Sequence, residues 1–322
     1  MITRREFVLV SAAAPLVSFA QTTKVWRIGF LASTAPANTP QFKAFSEGLA
    51  ALGYVEGKIL KFDIRWPQRP SDRLADLAKD LAQVGIDLIF AWGTPAALAA
   101  KQSTSLIPVV FAGVADPVGS ALVESLNYPG ANVTGVTNLS RGLIAKLVEL
   151  LTQIAPRIKR VAALRNPANP VSALQLSEAQ GAANTLGLQL TAIDLNGLND
   201  LADTFAKMRK ARVEGVVVLS DPQLFGERQK IALLAREARI LSISTPRGFA
   251  EAGGLMSYGE DGVLSYRRVA NLADRIFKGA KPADLPVEQP SWFDLVLNMK
   301  TANSLGIKVP QSILVQATKV IE

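Results

Sequence analysis

Short apolar runs alternate along the chain with longer amphipathic stretches. The apolar runs lack the period-two alternation of a half-exposed strand and lie at residues 28–31, 88–91, 109–111, 161–164 and 216–219. Runs of this kind are typical of strands that are buried on both faces of a parallel sheet. Between them, apolar residues recur at spacings of three and four, as in 74–81, which predicts amphipathic helices. The alternation predicts α/β units with right-handed crossover connections.

The same plan occurs twice in the chain. Local matches recur in one order at separations of about 130 residues. They pair 27–30 with 160–163, 36–38 with 167–169, 52–54 with 186–188, 72–78 with 200–206, and 92–95 with 219–222. We therefore predict the α/β class, with two doubly wound lobes that resemble each other.

The loops after the predicted strands hold the candidate ligand residues, because doubly wound sheets bind ligands at the carboxyl ends of their strands. Sites also occur preferentially between domains, so we expect a cleft between the lobes. The short polar residues in these loops are Ser33, Thr34, Thr94, Asp116, Asn138, Asn166 and Asp221. Two aromatic residues, Phe225 and Tyr258, lie beside the loops and complete the predicted lining.

Two loops at matched positions carry opposite polarity. Gly93, Thr94 and Pro95 open a predicted helix at Ala96, whose free backbone N–H groups suit a carboxylate. Asp221 lies at the matching place in the second half and suits an ammonium group. The alternative is that the polar residues before proline in these loops are only helix caps. We favour a zwitterion held between the lobes.

Composition limits the chemistry that the chain can perform. The 322 residues include no cysteine and no histidine, which excludes thiol nucleophiles, Ser–His–Asp triads, zinc fingers and disulfide frameworks. We predict no catalytic residue, no metal and no cofactor. The formal net charge is +8, but Lys and Arg are scattered along the chain instead of forming a stripe. We therefore predict no nucleic-acid partner.

The N-terminus has the pattern of an export signal. Arg4 and Arg5 precede an apolar stretch that ends at Phe19 and Ala20. A charged start, a short apolar run and a small-x-small site predict a signal peptide at 1–20, cleaved after Ala20. The string TRREF also fits twin-arginine export. An uncleaved anchor is the alternative, although the apolar run is short for a ~30 Å hydrocarbon core. We expect the periplasm as the destination.

A series of motifs resembles those of a known family. In order, they are IGFLAS, GLAALGYVEGKIL, DRLADLAKDLA, GTPAALAAK, IPVVF with ADPV, PGANVTGV, RNPANP, EAGGLMSYG, FKGAKPADLPVEQP and LVLNMKTANSLGIKVP. From about Val25 to Glu322, the chain resembles the ABC transporter substrate-binding proteins of the TrpX-like group, which have the type I periplasmic binding protein fold.

The resemblance implies a solute receptor with two lobes that close on a small molecule. The closed form would dock on an ABC permease in the membrane, driven by its ATPase. Characterised relatives bind aromatic amino acids, and other type I proteins bind branched amino acids or sugars. The resemblance therefore implies an aromatic or branched amino acid or a related carboxylate. By position, Thr94 and the backbone of 93–96 would hold the carboxylate, and Asp221 the amine. Asp116 and Asn138 would line the cleft near the hinge.

The resemblance also implies where the chain crosses between lobes. Lobe one would hold 24–138 and 246–288, and lobe two 139–245 and 289–322. The three crossings would form the hinge, and we expect a monomer.

Other functions remain possible from the sequence. A sensing module would present the closed form to a signalling receptor in place of a permease. An exported enzyme working with Asp116 and Asp221 would need these carboxylates ~5–9 Å apart. A LacI-like repressor shares the fold, but an export signal takes the place of its helix-turn-helix.

Overall fold

The computed structural model describes residues 24–34, 39–68, 73–138, 142–195, 197–290 and 292–322. The predicted signal peptide at 1–20 lies outside the described residues. Within them, no helix combines the length and the apolar character that crossing a bilayer requires.

Strands and helices alternate over most of the described chain. The strands are β1 (Trp26–Ala32), β2 (Leu60–Arg65), β3 (Leu88–Trp92), β4 (Val109–Val114), β5 (Val133–Thr137), β6 (Arg160–Arg165), β7 (Gln189–Asp194), β8 (Gly215–Val218), β9 (Leu241–Ser244), β10 (Met256–Gly259), β11 (Asp294–Asn298) and β12 (Lys319–Ile321). The helices are α1 (Pro40–Ala51), α2 (Leu74–Gln83), α3 (Thr94–Ser103), α4 (Leu143–Ile154), α5 (Ser172–Thr185), α6 (Leu201–Lys210), α7 (Pro222–Gly226), α8 (Arg228–Glu237), α9 (Gly248–Glu251), α10 (Gly262–Phe277), α11 (Met299–Leu305) and α12 (Gln311–Gln316).

The strands form two sheets of the same winding. The first has the order β2-β1-β3-β4-β5, and all its neighbouring strands are parallel. The second contains β7-β6-β8-β9-β10, also parallel, and continues with β11, which is antiparallel to β10, and β12. The five parallel strands β6–β10 of the second sheet thus have the same spatial order as β1–β5 of the first. The prediction of two similarly wound α/β lobes is confirmed.

Both faces of each sheet are covered by helices, as the apolar runs predict. In β1, Phe30 packs into a cluster with Phe45 and Phe90, whereas the next residue, Leu31, packs into a different cluster with Ile89. Successive side chains of a strand point to opposite faces. A strand that is apolar at every position therefore requires a helix layer on each side.

Three crossings join the lobes. The chain leaves the first sheet after β5 and enters α4, which packs in the core of the second lobe. It returns between β10 and α10, and α10 packs with α1, where the Tyr54 hydroxyl donates to Asp274 Oδ1 at 3.1 Å. It leaves again after Glu288, which bridges to Val136 of β5, and enters β11.

The second crossing lies later than the sequence suggested. We expected 246–288 to belong to lobe one, with the return near Pro246. In the structure, β10 pairs with β9 and with β11 inside the second sheet, so the return falls at 260–261. The physical reason is that the short helix α9 suffices to bring the chain back parallel to β9. Because of this extra strand, Glu260 and Asp261 lie at the hinge.

Candidate functional site

A cleft of about 520 Å³ lies between the two lobes at the carboxyl ends of their strands. Lobe one contributes Gln41 at the start of α1, Trp92 at the end of β3, and Tyr266 of α10. Lobe two contributes residues that follow β8 and β9: Ser220, Asp221, Pro222, Phe225, Arg228, Thr245 and Arg247. The hinge contributes Asn138 and Glu260. The cleft lies where a ligand site is expected in this class of fold.

The lobes touch each other beside the cleft, so the structure is in a closed arrangement. A Cβ atom added at Gly93 would overlap Pro222 of the other lobe, and one added at Gly226 would lie 3.4 Å from the Thr34 methyl carbon. The Asn138 side-chain amide donates to Ser220 Oγ at 3.3 Å. These contacts join loops that belong to different sheets.

Two aromatic rings meet across the cleft. The Trp92 ring of lobe one and the Phe225 ring of lobe two form an edge-to-face pair, with centroids 6.3 Å apart and planes at 84°. On the Phe225 ring lies the guanidinium of Arg228, with its central carbon 4.5 Å from the ring centroid. Arg228 Nη1 also donates to the Phe225 carbonyl at 3.0 Å. An aromatic ligand would find ring edges and faces on both sides of this cleft.

Asp221 lines the cleft, but both oxygens of its carboxylate already accept hydrogen bonds within the protein. Its Oδ1 accepts from the backbone N–H groups of Gln223 (2.8 Å) and Leu224 (3.0 Å) at the start of α7. Its Oδ2 accepts from the side-chain amides of Asn169 (2.9 Å) and Asn166 (3.2 Å). The side chain is 7% exposed, and burial raises the pKa of Asp221 against the lowering effect of these four hydrogen bonds.

Glu260 presents a second carboxylate to the cleft. It follows β10 directly and accepts a hydrogen bond from Ser265 Oγ. Burial raises the pKa of Glu260 to about 7, because the ionised form loses hydration that one hydroxyl does not replace. Asp261 beside it raises the pKa further, whereas Arg268 lowers it.

Two polar atoms in the cleft wall lack partners within the part of the chain that the structure describes. They are Thr245 Oγ1 and Asn138 Oδ1, both buried without a hydrogen bond. Thr245 is 3% exposed. Because buried polar groups are nearly always paired, such atoms beside a cavity point to a ligand.

Several predicted residues lie close to the cleft without lining it. Ser33 directly follows β1, and its hydroxyl is buried and unpaired among the described residues. Thr34 contacts the second lobe, as described above. Thr94 and Ala96 are buried in the first turn of α3, with Pro95 between them. Gly93 forms the contact with Pro222 instead of facing the cavity.

Three other predicted residues have local partners of their own. Asp116 Oδ1 accepts from the Gly119 N–H at 2.8 Å and so closes a turn. Asn166 bonds to Asp221 and, at 3.3 Å, to Gln223 Oε1. Tyr258 packs on Phe293, with ring centroids 5.9 Å apart, against the core of lobe two. None of these three lies among the described residues that line the cleft.

The sequence reasoning missed Arg228, Glu260 and Thr245. Thr245 and Glu260 directly follow strands of the second lobe, which is the rule that selected the other candidates, whereas Arg228 begins α8, beyond α7. Thr245 directly follows β9, a strand with two serines, and Glu260 follows β10, which is short and not uniformly apolar. Neither strand was among the apolar runs that selected the candidate loops, and the segment after β8 was searched only as far as Phe225.

The model of one family, described as ABC transporter substrate binding protein, matches residues 33–321. The chain belongs to this family. The fold is that of type I periplasmic binding proteins. The prediction from the sequence motifs is therefore confirmed for both family and fold.

Three of the proteins similar to this chain are described by their ligand or by their state. A tyrosine-binding protein of Clostridioides difficile is 24% identical over 266 residues, which cover 83% of this chain and 76% of that one. The structure of an ABC domain from Streptococcus pneumonia in complex with L-Trp is 29% identical, with a TM-score of 0.85, covering 92% of this chain and 100% of that one.

The third relative is a ligand-free, open substrate binding protein with adhesive properties from Clostridium difficile. It is 25% identical, with a TM-score of 0.66, and the match covers 92% of this chain and 99% of that one. At similar identity, the protein superposes better on the L-Trp complex than on this open structure. The difference agrees with the direct contacts between its lobes.

Proposed function

We propose that this protein is the extracytoplasmic receptor of an ABC importer and that it binds an aromatic amino acid. The observation that carries the proposal is the closed cleft, which has an aromatic pair in its walls and unpaired polar atoms beside it. Its volume falls in the range of ordinary small-molecule sites. Relatives described as bound to L-Trp or as tyrosine-binding support the choice of ligand class.

Binding needs no chemistry in this mechanism. Open and closed arrangements of the lobes interconvert, and a ligand that contacts both lobes favours the closed one by its differential affinity. Trp92 and Phe225 belong to different lobes, so a ligand ring beside this pair contacts both of them only when the cleft closes. The closed form then becomes the signal that the membrane partner recognises.

The importer role extends the proposal to partners and location. A permease with its ATPase would receive the closed receptor, and the receptor would work in the periplasm after removal of residues 1–20. Uptake of labelled L-tryptophan by cells that lack the gene tests this role, since transport should fall and return when the gene is restored. Unchanged uptake together with tight binding would favour the sensing alternative.

A thermal-shift panel tests the ligand class directly. At about 100 times its dissociation constant, a ligand stabilises the folded protein by ~2.7 kcal/mol, which raises the melting temperature of a protein of this size by about 4 °C. L-Tryptophan, L-tyrosine and L-phenylalanine should give such shifts, whereas L-leucine and glucose serve as comparisons. A shift with glucose alone, or with none of the aromatic amino acids, would refute the proposal.

A further inference from the structure

Three charged residues of the cleft belong to one ion-pair network. Arg247 lies 3.2 Å from Glu251 Oε1, 3.5 Å from Asp261 Oδ2 and 3.8 Å from Asp294 Oδ2. Glu251 also pairs with Lys319 at 2.8 Å. This network spans α9, the hinge and the last two strands, and each of its charged groups has a partner of opposite charge without a ligand.

Arg228 stands outside the network as a cation without a counter-ion. Among the described residues, no carboxylate oxygen lies within 4 Å of its guanidinium, although the more distant Glu251 exerts a favourable field. Burial lowers the pKa of Arg228, which reflects the hydration that the charged group has lost. The Phe225 ring and the Phe225 carbonyl hold the guanidinium in place. A guanidinium has five N–H donors, so donors remain for a carboxylate.

Glu260 is the corresponding anion without a counter-ion. Its described polar partner is the Ser265 hydroxyl, and no described cation lies within 4 Å of it. Asp261 and Arg268 face it at longer range, and its charge adds to the burial that raises the pKa of Tyr266. An ammonium group would supply the charge and the hydrogen bonds that this carboxylate lacks.

We propose that Arg228 binds the carboxylate of the ligand and Glu260 its ammonium group, so that the cleft selects a zwitterion. This assignment rests on the proposed function. It replaces Asp221 as the amine-binding residue, because the Asp221 carboxylate already accepts four hydrogen bonds within the protein. Among the described residues of the cleft, Arg228 is a cation without an ion pair, and Glu260 is a carboxylate with neither an ion pair nor the four hydrogen bonds that satisfy Asp221. Together they are complementary to an α-amino acid.

The positions of the two groups link binding to closure. Arg228 lies on α8 of lobe two, whereas Glu260 lies on the crossing that leads into α10 of lobe one. Thr245 Oγ1 and Asn138 Oδ1 add to the lining of the same cleft a hydroxyl and an acceptor that are unpaired among the described residues. A ligand that bridges Arg228 and Glu260 therefore draws the second lobe towards the hinge.

Three ligands and two variants test the assignment by calorimetric titration. The ligands are L-tryptophan, tryptamine, which lacks the carboxylate, and indole-3-propionate, which lacks the amine. Arg228→Gln should weaken L-tryptophan and indole-3-propionate by about 30-fold or more but leave tryptamine nearly unchanged. Glu260→Gln should weaken L-tryptophan and tryptamine similarly and leave indole-3-propionate unchanged or bound more tightly. Lys230→Gln and Glu237→Gln, exposed on α8, are controls for the loss of charge.

The outcomes separate this inference from the proposed function. If the unaltered protein binds no aromatic amino acid, the proposed function fails. If it binds L-tryptophan but both variants bind all three ligands as the controls do, the function stands and the assignment is overturned. Equal losses for all three ligands would also overturn it, since Arg228 and Glu260 would then only maintain the shape of the cleft. Melting curves identify a variant that does not fold, for which Arg228→Lys or Glu260→Asp serves in its place.

Discussion

Replacement of Gly93 by alanine should prevent full closure of the lobes. Gly93 precedes α3 with φ 86° and ψ 158°, a conformation that is essentially confined to glycine. An added Cβ would lie nearer to Pro222 Cγ of the other lobe than the 3.0 Å that real Cβ atoms keep. To reach an ordinary carbon contact of ~3.5 Å, the lobes would have to part by roughly 1 Å.

The two effects of this substitution act on different equilibria. Backbone strain of about 1–3 kcal/mol is present in the open and the closed form alike, so it lowers stability without changing affinity. The overlap with Pro222 exists only in the closed form, and overpacking of this kind costs about 1–3 kcal/mol. Since the ligand stabilises the closed form, the dissociation constant for L-tryptophan should rise roughly 5- to 150-fold.

Isothermal titration with a rescue variant measures the closure effect alone. Gly93→Ala with Pro222→Ala removes the proline Cγ, so affinity should recover while the loss of stability remains. Gly53→Ala is the control for a glycine with positive φ that has open space around it, and its affinity should not change. The reasoning is refuted if Gly93→Ala, shown to be folded, binds as tightly as the unaltered protein, or if Pro222→Ala does not restore binding.

Further predictions concern titration, capping and processing. Only ionised Glu260 can pair with an ammonium group, and the pKa of Glu260 in the ligand-free protein is about 7. The affinity for L-tryptophan should therefore fall about tenfold from pH 8 to pH 6. Calorimetric titrations at both pH values should show this fall, and Glu260→Gln should remove the pH dependence. Asp221→Ala should lower the free energy of unfolding by ~1–2 kcal/mol through the lost helix cap, as measured by urea unfolding. The ratio of the affinities for L-tryptophan and indole-3-propionate should stay unchanged. A loss of affinity confined to L-tryptophan would show that Asp221 binds the amine. Protein recovered from the periplasm should begin at Gln21 by N-terminal sequencing, and an intact N-terminus would indicate an anchor.

The fold could be predicted from the sequence because a strand that is buried on both faces of a parallel sheet is apolar at nearly every position. β3 and β8 are apolar at almost every position, which is possible only for strands covered on both faces. The sequence repeat at about 130 residues predicted a second lobe with the same winding. β10 escaped this reasoning, since Ser257 and Tyr258 break its apolar run, and the second crossing was therefore placed too early.

The candidate site was harder to predict, because the same residue type serves as a cap or as a ligand group. Asp221 before a proline fits both roles in the sequence, and only the positions of Asn166 and Asn169 show that its oxygens are occupied. Arg228 is one of many scattered cations, and only its position on Phe225 without a carboxylate distinguishes it. Pairing depends on tertiary contacts, which no local pattern contains.

Closure of the two lobes on an aromatic amino acid is tested most directly by the distance between them in solution. The chain has no cysteine, so spin labels can be attached specifically to Lys43→Cys on α1 and Lys230→Cys on α8. Pulsed electron paramagnetic resonance should show a broad distance distribution without ligand and a shorter, narrower one with saturating L-tryptophan. An unchanged distribution at a concentration of L-tryptophan that saturates binding would contradict closure on this ligand.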